Sequence, residues 1–131
     1  MSENRFDQWL SGLDFEFWST SQHAITPALF FEKWAKDEAM LLDMRAPEEK
    51  DFLTLPFGLN IPVNELPARL NEIPRDKLVA MLYTAGDRSN VAFAYLRVQG
   101  FDNIRILKTT YTELTAELLP GKLRKTIQSK A

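Results

Sequence analysis

Residues 77–100, KLVAMLYTAGDRSNVAFAYLRVQG, predict a strand, a short loop and a helix in direct succession. Residues 78–83 form a short apolar run between polar segments, which is typical of a strand buried on both faces of a sheet. Asp87 is suited to cap the following helix, apolar side chains recur at helical spacing, and Gly100 is suited to end it. The loop at residues 83–89 is therefore expected to join a buried strand to the start of a helix.

A loop of this kind is suited to bind an anion. Backbone N–H groups in a tight turn before a helix point into one concavity, at the positive end of the helix dipole. The candidate anion-binding residues are Tyr83, Thr84, Ala85, Gly86, Asp87, Arg88 and Ser89. Arg88 either holds an anion directly or pairs with Asp43, Asp87 or Glu49 and supports the loop, and the sequence leaves both roles open. A carboxylate at Asp87 opposes an anion if it faces the concavity.

A second polar segment follows another predicted buried strand, residues 39–44. Residues 43–49 read D-M-R-A-P-E-E, with acidic and basic side chains directly after the strand. Because ligands of parallel sheets lie beyond the carboxyl ends of the strands, Asp43 is expected close to the 83–89 loop. We assign Asp43, Arg45 and Glu49 a supporting role, in which charge-assisted hydrogen bonds hold the loop after the strand in place.

Both segments carry a specific family resemblance. Residues 83–89 resemble the active-site loop of rhodaneses, Cys-x-x-Gly-x-Arg-Ser, and residues 43–49 are similar to the family's Asp-x-Arg-x-x-x-Glu signature. The resemblance covers residues 25–119. It implies an α/β fold, a rhodanese-like three-layer domain with a mainly parallel central sheet flanked by helices, without cofactor or metal.

The position of Tyr83 argues against the chemistry of that family. In a working rhodanese the loop cysteine takes up a sulfane sulfur as a persulfide, which the loop amides stabilise as an anion. Tyr83 stands where the family has this cysteine, and a phenol cannot carry the sulfur. The resemblance therefore implies that the chain has no catalytic residue, and the Tyr83 ring has the alternative role of filling the pocket as part of the core.

The composition excludes several further classes of protein. The 131 residues include 0 cysteines and 1 histidine, which excludes disulfides, thiolate metal sites and a multi-histidine zinc site within the chain. A net charge of −2 provides no broad positive field for nucleic acid or an anionic membrane. The sequence shows neither a membrane-spanning apolar run nor a signal peptide, so we expect a cytoplasmic location. His23 is expected to be solvated and receives no role.

We expect three parts along the chain: an N-terminal amphipathic helical extension at 1–24, the rhodanese-like domain at 25–121 and a basic, frayed C-terminal tail at 122–131. Residues 3–18 are expected to form one amphipathic helix. Its stripe of large apolar side chains comprises Phe6, Trp9, Leu10, Leu13 and Phe17. The stripe either folds back over the core or contacts another protein, with a homodimer through this helix as one form of that contact.

Other elements of the domain are expected from the same patterns. Helices are predicted over 27–35, 47–52, 63–70 and 111–119, and strands over 59–61 and 104–107. Rhodaneses usually have a Gly-Gly pair after the last of these strands, whereas this chain has Thr109 and Thr110. Two β-branched residues in place of glycines are expected to stiffen and narrow the mouth of the site.

Three classes of function follow from these expectations. The leading one is a catalytically inactive rhodanese-like domain that acts as a binding or regulatory module in sulfur trafficking. Its candidate partners are a sulfur-carrier or other protein and a small oxyanion in the loop, whereas nucleic acid and membrane are not expected. The second class is a purely structural or oligomerisation domain. The third is a sulfurtransferase-like protein that relies on the cysteine of a partner.

Overall fold

The computed structural model describes residues 5–82 and 87–130, the last two of these by their backbone only. Within this part of the chain, one sheet of parallel strands forms the centre of the molecule, in the order β1-β5-β4-β2-β3. The strands are β1 Ala24–Ile25, β2 Ala39–Asp43, β3 Gly58–Asn60, β4 Leu78–Leu82 and β5 Ile104–Leu107. The predicted α/β class with a parallel central sheet is confirmed, and all of these strands end at the same edge.

Helices cover both faces of this sheet. They are α1 Arg5–Ser11, α2 Phe15–Ser19, α3 Pro27–Ala35, α4 Pro47–Lys50, α5 Asp87–Val98, α6 Tyr111–Ala116 and α7 Pro120–Lys130. The predicted start of α3 is confirmed, since Thr26 Oγ1 accepts a hydrogen bond from the backbone N–H of Leu29 at 3.3 Å and Pro27 occupies the first turn. Gly100 follows α5 with a φ of 95°, a conformation that glycine adopts without strain.

The central strand β4 explains why the fold has three layers. Val79 and Met81 point into an apolar cluster with α5, whereas Ala80 and Leu82 point into a second cluster with α3 and α6. All four side chains are at most 1% exposed. Because side chains alternate along a strand, the unbroken apolar run is what a strand covered on both faces requires.

The N-terminal segment differs from the single helix predicted over residues 3–18. Helix α1 ends where the backbone N–H of Gly12 bonds to the carbonyl of Trp9 at 3.1 Å. Helix α2 then begins where the Asp14 carboxylate accepts the N–H of Phe17 at 2.9 Å. The prediction was wrong because two competing end signals, a glycine and an aspartate cap, interrupt the apolar periodicity.

The break divides the predicted apolar stripe. Phe17 is buried at 7% exposure, and the half-buried Trp9 and Leu13 pack against the cluster beneath α5. Phe6 and Leu10 are 50% and 56% exposed in the single chain. Part of the stripe therefore folds back over the core, as one of the two alternatives predicted, and part of it faces outward.

The C-terminal residues also differ from the prediction of a frayed tail at 122–131. Residues 120–130 form helix α7, which packs against α3. Pro120, which was expected to end the preceding helix, instead begins this one. Proline is favourable at the start of a helix because its missing N–H would have no partner there. No helix in the described part of the chain has the length and apolar character needed to cross a membrane.

Two smaller differences concern short elements. The segment predicted as one helix over 63–70 consists of 3₁₀ helices at Val63–Ala68 and Leu70–Glu72. Pro67 lies inside the first, where it lacks the N–H that an α-helix needs. Strand β1 was not predicted, because a two-residue edge strand leaves no pattern in the sequence.

Candidate functional site

The candidate site lies at the edge of the sheet where the parallel strands end. Strand β2 ends at Asp43, β4 ends at Leu82, and α5 begins at Asp87. The expected proximity of the two motifs follows from this arrangement, because β2 and β4 are hydrogen-bonded neighbours. Among the predicted loop residues, Tyr83, Thr84, Ala85 and Gly86 lie outside the described residues.

Asp43 and Arg45 form a buried ion pair directly after β2. The Arg45 Nε and Nη2 atoms donate to the two carboxylate oxygens of Asp43, each at 2.9 Å. The backbone N–H of Arg45 donates to the same carboxylate at 3.0 Å. The two residues are 2% and 1% exposed, so the hydrogen bonds replace most of the lost hydration.

The surroundings of Arg45 keep it charged. The hydrogen bond to Asp43 raises the pKa of Arg45, and burial opposes this effect. Tyr111 contributes a smaller increase in the same pKa. Tyr111 is the first residue of α6 and is 43% exposed. An aromatic residue at the surface of the site therefore acts on the buried pair.

Asn60, at the end of β3, holds the backbone of this turn. Its Nδ2 donates to the carbonyl oxygens of Asp43 at 2.8 Å and Arg45 at 3.1 Å. The sequence motifs assign no role to Asn60 or Tyr111. An asparagine inside the strand predicted over 59–61 was a usable signal for Asn60, because this residue is uncommon inside strands. For Tyr111 the signal was an aromatic residue at the start of the helix predicted over 111–119.

Arg88 forms a two-bond pair with Glu49 of α4. Its Nη2 donates to Glu49 Oε2 at 2.8 Å, and its Nη1 donates to Oε1. Glu49 Oε1 also accepts the backbone N–H of Ala46 at 3.0 Å. Of the two roles left open for Arg88, this contact corresponds to pairing with a carboxylate.

The pair changes the acidity of its carboxyl group. The hydrogen bonds from Arg88, with a further one from the Ala46 N–H, lower the pKa of Glu49 to about 2. The same contact raises the pKa of Arg88. With side-chain exposures of 33% for Arg88 and 36% for Glu49, the pair lies at the surface of the site, in contrast to the Asp43–Arg45 pair.

Ser89 connects the two ends of the loop. Its hydroxyl donates to the carbonyl oxygen of Leu82 at 3.2 Å, and its side chain is fully buried. The last residue of β4 and the first turn of α5 are thereby held together. Asp87 is exposed at the start of α5, where a negative charge is favourable for the helix dipole.

Thr109 and Thr110, which were expected to narrow the mouth of the site, lie between β5 and α6. Thr110 caps α6, since its Oγ1 accepts the backbone N–H of Glu113 at 3.1 Å. Thr109 is 7% exposed, and its hydroxyl donates to the carbonyl of Thr110 at 2.9 Å. In the described ranges, no three or more histidine, aspartate or glutamate side chains are arranged to hold a metal ion.

Comparison with known proteins identifies sulfurtransferases among the relatives of this chain. No family model matches the chain. A sulfurtransferase of Allochromatium vinosum is 35% identical over 72 residues, which cover 55% of this chain and 67% of that protein. A putative sulfur carrier protein of Bacillus subtilis, YrkF, is 30% identical over 76 residues, covering 57% of this chain and 41% of that protein.

The fold comparison agrees with the sequence comparison. The crystal structure of a rhodanese-related protein from Thermoplasma volcanium superposes with a TM-score of 0.62 and 28% identity, covering 75% of this chain and 95% of that one. The Allochromatium relative is covered over two thirds of its length. This chain therefore belongs to the rhodanese-like sulfurtransferase family.

Proposed function

We propose that this chain is a rhodanese-like domain that transfers no sulfur through a side chain of its own and acts as a binding or regulatory module in sulfur trafficking. The observation that carries the proposal is the absence of cysteine from its 131 residues. Tyr83 directly follows the last residue of β4, where the family has its cysteine. A phenol forms no persulfide, so the family's covalent intermediate has no place on this chain.

In this proposal the loop at 83–89 binds a small oxyanion through its backbone N–H groups. The start of α5 supplies the positive end of a helix dipole, and the Ser89–Leu82 hydrogen bond holds the two ends of the loop together. Because Glu49 occupies two donors of Arg88, we assign Arg88 to the support of the loop. The Asp43–Arg45 pair supports the neighbouring turn in the same way.

The proposed partner is a sulfur-carrying protein. One relative is named as a putative sulfur carrier protein, which supports a partner of this kind. A persulfide anion or a bound oxyanion on such a partner is the chemical group that the loop would recognise. In this arrangement residues 25–121 form the binding module, preceded by the extension at 1–24 and followed by 122–131.

The experiment that tests this proposal restores the cysteine. Wild-type protein, Tyr83→Cys and Tyr83→Ser are incubated with thiosulfate and then with cyanide, and persulfide and thiocyanate are measured. In a working loop the thiolate attacks the outer sulfur of thiosulfate, the S–S bond breaks, and sulfite leaves. We expect a persulfide on Tyr83→Cys only. Turnover by repeatedly purified wild-type protein would refute the inactive assignment.

The acidity of the introduced thiol tests the anion-binding loop separately. Helix N-termini and nearby cations lower cysteine pKa values from about 8.5 to roughly 3.5–7.5, so Tyr83→Cys should alkylate rapidly at neutral pH. Ser11→Cys, at the C-terminal end of α1, is the control for a thiol that such a loop does not activate. If both thiols show the same alkylation rate against pH, and Tyr83→Cys gains no sulfur, the oxyanion role of the loop is wrong.

A second candidate function is self-association through the N-terminal helices. Phe15 is 84% exposed and Leu10 is 56% exposed, and large apolar side chains with such exposure are often covered in an assembly. Light scattering across a concentration series would measure the mass of the wild-type protein and of Leu10→Ser/Phe15→Ser. A wild-type monomer at all concentrations would contradict this candidate.

A further inference from the structure

A pocket of about 330 Å³ lies between the N-terminal helices and the rhodanese-like core. Its lining includes Trp9, Trp18, His23, Asn90, Phe93 and Lys108. Trp9 and Trp18 belong to α1 and α2, which precede the part of the chain that resembles the family. Two of the lining residues therefore come from a segment outside that resemblance, and the pocket is separate from the ion pairs described above.

Aromatic rings form much of the lining. The Trp9 and Phe93 ring centroids are 6.1 Å apart with an angle of 63° between the planes. Trp18 lies edge-on to the His23 ring at 4.9 Å and 64°. Such edge-to-face pairs fix the orientation of the rings, and rings at fixed orientation provide a surface for a flat apolar molecule.

His23 presents a hydrogen-bond donor at this pocket. The expectation of a solvated side chain was wrong, because the ring is half-buried against Phe17 and Trp18. Its Nδ1 is buried and has no hydrogen-bond partner in the described residues. Buried N–H groups are almost always paired in proteins, so we infer the neutral tautomer that carries its proton on Nε2, which is then a donor.

Two further donors lie on the lining. Within the part of the chain that the structure describes, the side chains of Asn90 and Lys108 form no hydrogen bond or ion pair. Lys108 directly follows β5, and Asn90 lies in the first turns of α5. An ammonium group, an amide and an imidazole N–H are thus available to one ligand, and none of the described lining residues is a carboxylate.

The charge around the pocket is positive. Burial lowers the pKa of His23, and Lys108, Arg105 and Arg97 lower it further through their charges. Arg97 donates to the carbonyl of Ile104 at 2.8 Å, and Arg105 donates to backbone carbonyls of residues 21 and 24. These carbonyl partners are neutral, so they do not neutralise the positive charge of the two arginines. The negative charge of Asp102, which is not part of the pocket lining, acts on Arg97.

We propose that this pocket binds a small planar organic anion, an aromatic carboxylate of one or two rings. The ring lies among Trp9, Trp18 and Phe93, and the carboxylate accepts hydrogen bonds from Lys108 and its neighbouring donors. The volume is at the lower end of the roughly 300–1,000 Å³ of ligand pockets, which suits a ligand of this size. The inference is independent of the chemistry of the 83–89 loop.

Three probes with the same naphthalene ring and different charge test the proposal. 2-Naphthoate, 2-naphthamide and 2-naphthyltrimethylammonium are titrated into the full chain, and binding is followed by calorimetry and tryptophan fluorescence. We expect the carboxylate to bind at least about tenfold more tightly than the amide, because hydrogen bonds to a charged group are roughly twice as strong. The cation should bind no better than the amide. Equal affinity for all three probes, or no binding of naphthoate at its solubility limit, would overturn the proposal.

Variants of the lining residues test whether naphthoate binds in this pocket. Lys108→Met should weaken naphthoate about tenfold and change the affinity for naphthamide less than about twofold, because only the charge-assisted bond is lost. Lys36→Met removes an exposed lysine next to α3 and serves as the control. Trp18→Leu should weaken both ligands by removing aromatic contact. Circular dichroism and melting curves verify folding, and naphthoate affinity that is unchanged in folded Lys108→Met and Trp18→Leu would place the ligand elsewhere.

Discussion

Two carboxylate–arginine pairs lie at the same edge of the sheet with the same two-bond geometry and very different exposure. Asp43 and Arg45 are 2% and 1% exposed, whereas Glu49 and Arg88 are 36% and 33% exposed. In the buried pair each charge depends on its partner, because water cannot reach the site to replace a lost partner. In the surface pair water replaces a lost partner at small cost. The two pairs have similar hydrogen bonds, but the loss of a partner is costly to stability only in the buried pair.

The largest expected effect is the loss of one partner of the buried pair. Asp43→Asn removes the charge opposite Arg45 and should lower the free energy of unfolding by about 3–5 kcal/mol, measured in urea. The exposed Asp51→Asn is the control, with an expected change within about 0.5 kcal/mol. A loss below 1 kcal/mol in Asp43→Asn would show that Arg45 finds another partner, and would contradict the structural role.

A double replacement tests whether the two charges act on stability as a pair. In Asp43→Leu/Arg45→Met both charges are exchanged for apolar side chains of similar size, so no buried charge remains. Replacing a complete buried ion pair is often neutral, whereas removing one partner is costly. We expect the double variant to be more stable than either single variant in the same urea experiment. If the losses of the single variants simply add, the two side chains act independently and the pair is not the unit of stability.

The surface pair should show a smaller effect. Glu49→Gln keeps the shape of the side chain and removes the charge opposite Arg88, and exposed ion pairs contribute about 0–1 kcal/mol. The adjacent, exposed Glu48→Gln is the matched control. A loss as large as that of Asp43→Asn would show that the Glu49–Arg88 pair is as essential as the buried one, and the contrast between the pairs would fail.

The smallest expected effect is a pH dependence of the surface pair. The pKa of Glu49 is lowered from its ordinary 4.5 to about 2, so the folded state favours the ionised form. Its contribution to stability is fully present above pH 4.5 and is lost as the pH falls towards 2. The stability difference between wild-type protein and Glu49→Gln should therefore shrink between pH 5.5 and pH 3, as measured by urea unfolding. A constant difference would indicate that the pair does not shift this pKa.

The parts of the fold that were predictable are those that local patterns specify. Strand β4 is an apolar run because both of its faces are covered, and α3 begins at Thr26 and Pro27 because a cap and a proline specify that start. Helix α1 was not separated from α2, because the apolar periodicity continues across the break at residues 12–14. Periodicity alone therefore identifies the buried face and misses the end of the helix.

The polar residues at this sheet edge could be predicted from the sequence, but the hydrogen-bonded pairs that they form could not. The sequence motifs identify Asp43, Arg45, Glu49 and Arg88 as a group near one sheet edge, but the choice of Glu49 as a partner of Arg88 depends on where α4 lies. Asn60 reaches the turn after β2 because β3 lies beside that strand. Such contacts are set by tertiary structure, which a single sequence does not reveal.

The short strand β1 has a consequence for synthesis on the ribosome. Ala24 pairs with Ile106 at the edge of the sheet. About 80 residues are added between these two, which takes roughly 4–16 s at 5–20 residues per second. Throughout this interval β1 has no strand to join, and for most of it the aromatic side chains of α1 and α2 have no complete α5 to pack against. The nascent chain therefore exposes these aromatic side chains for seconds before the surface that covers them exists.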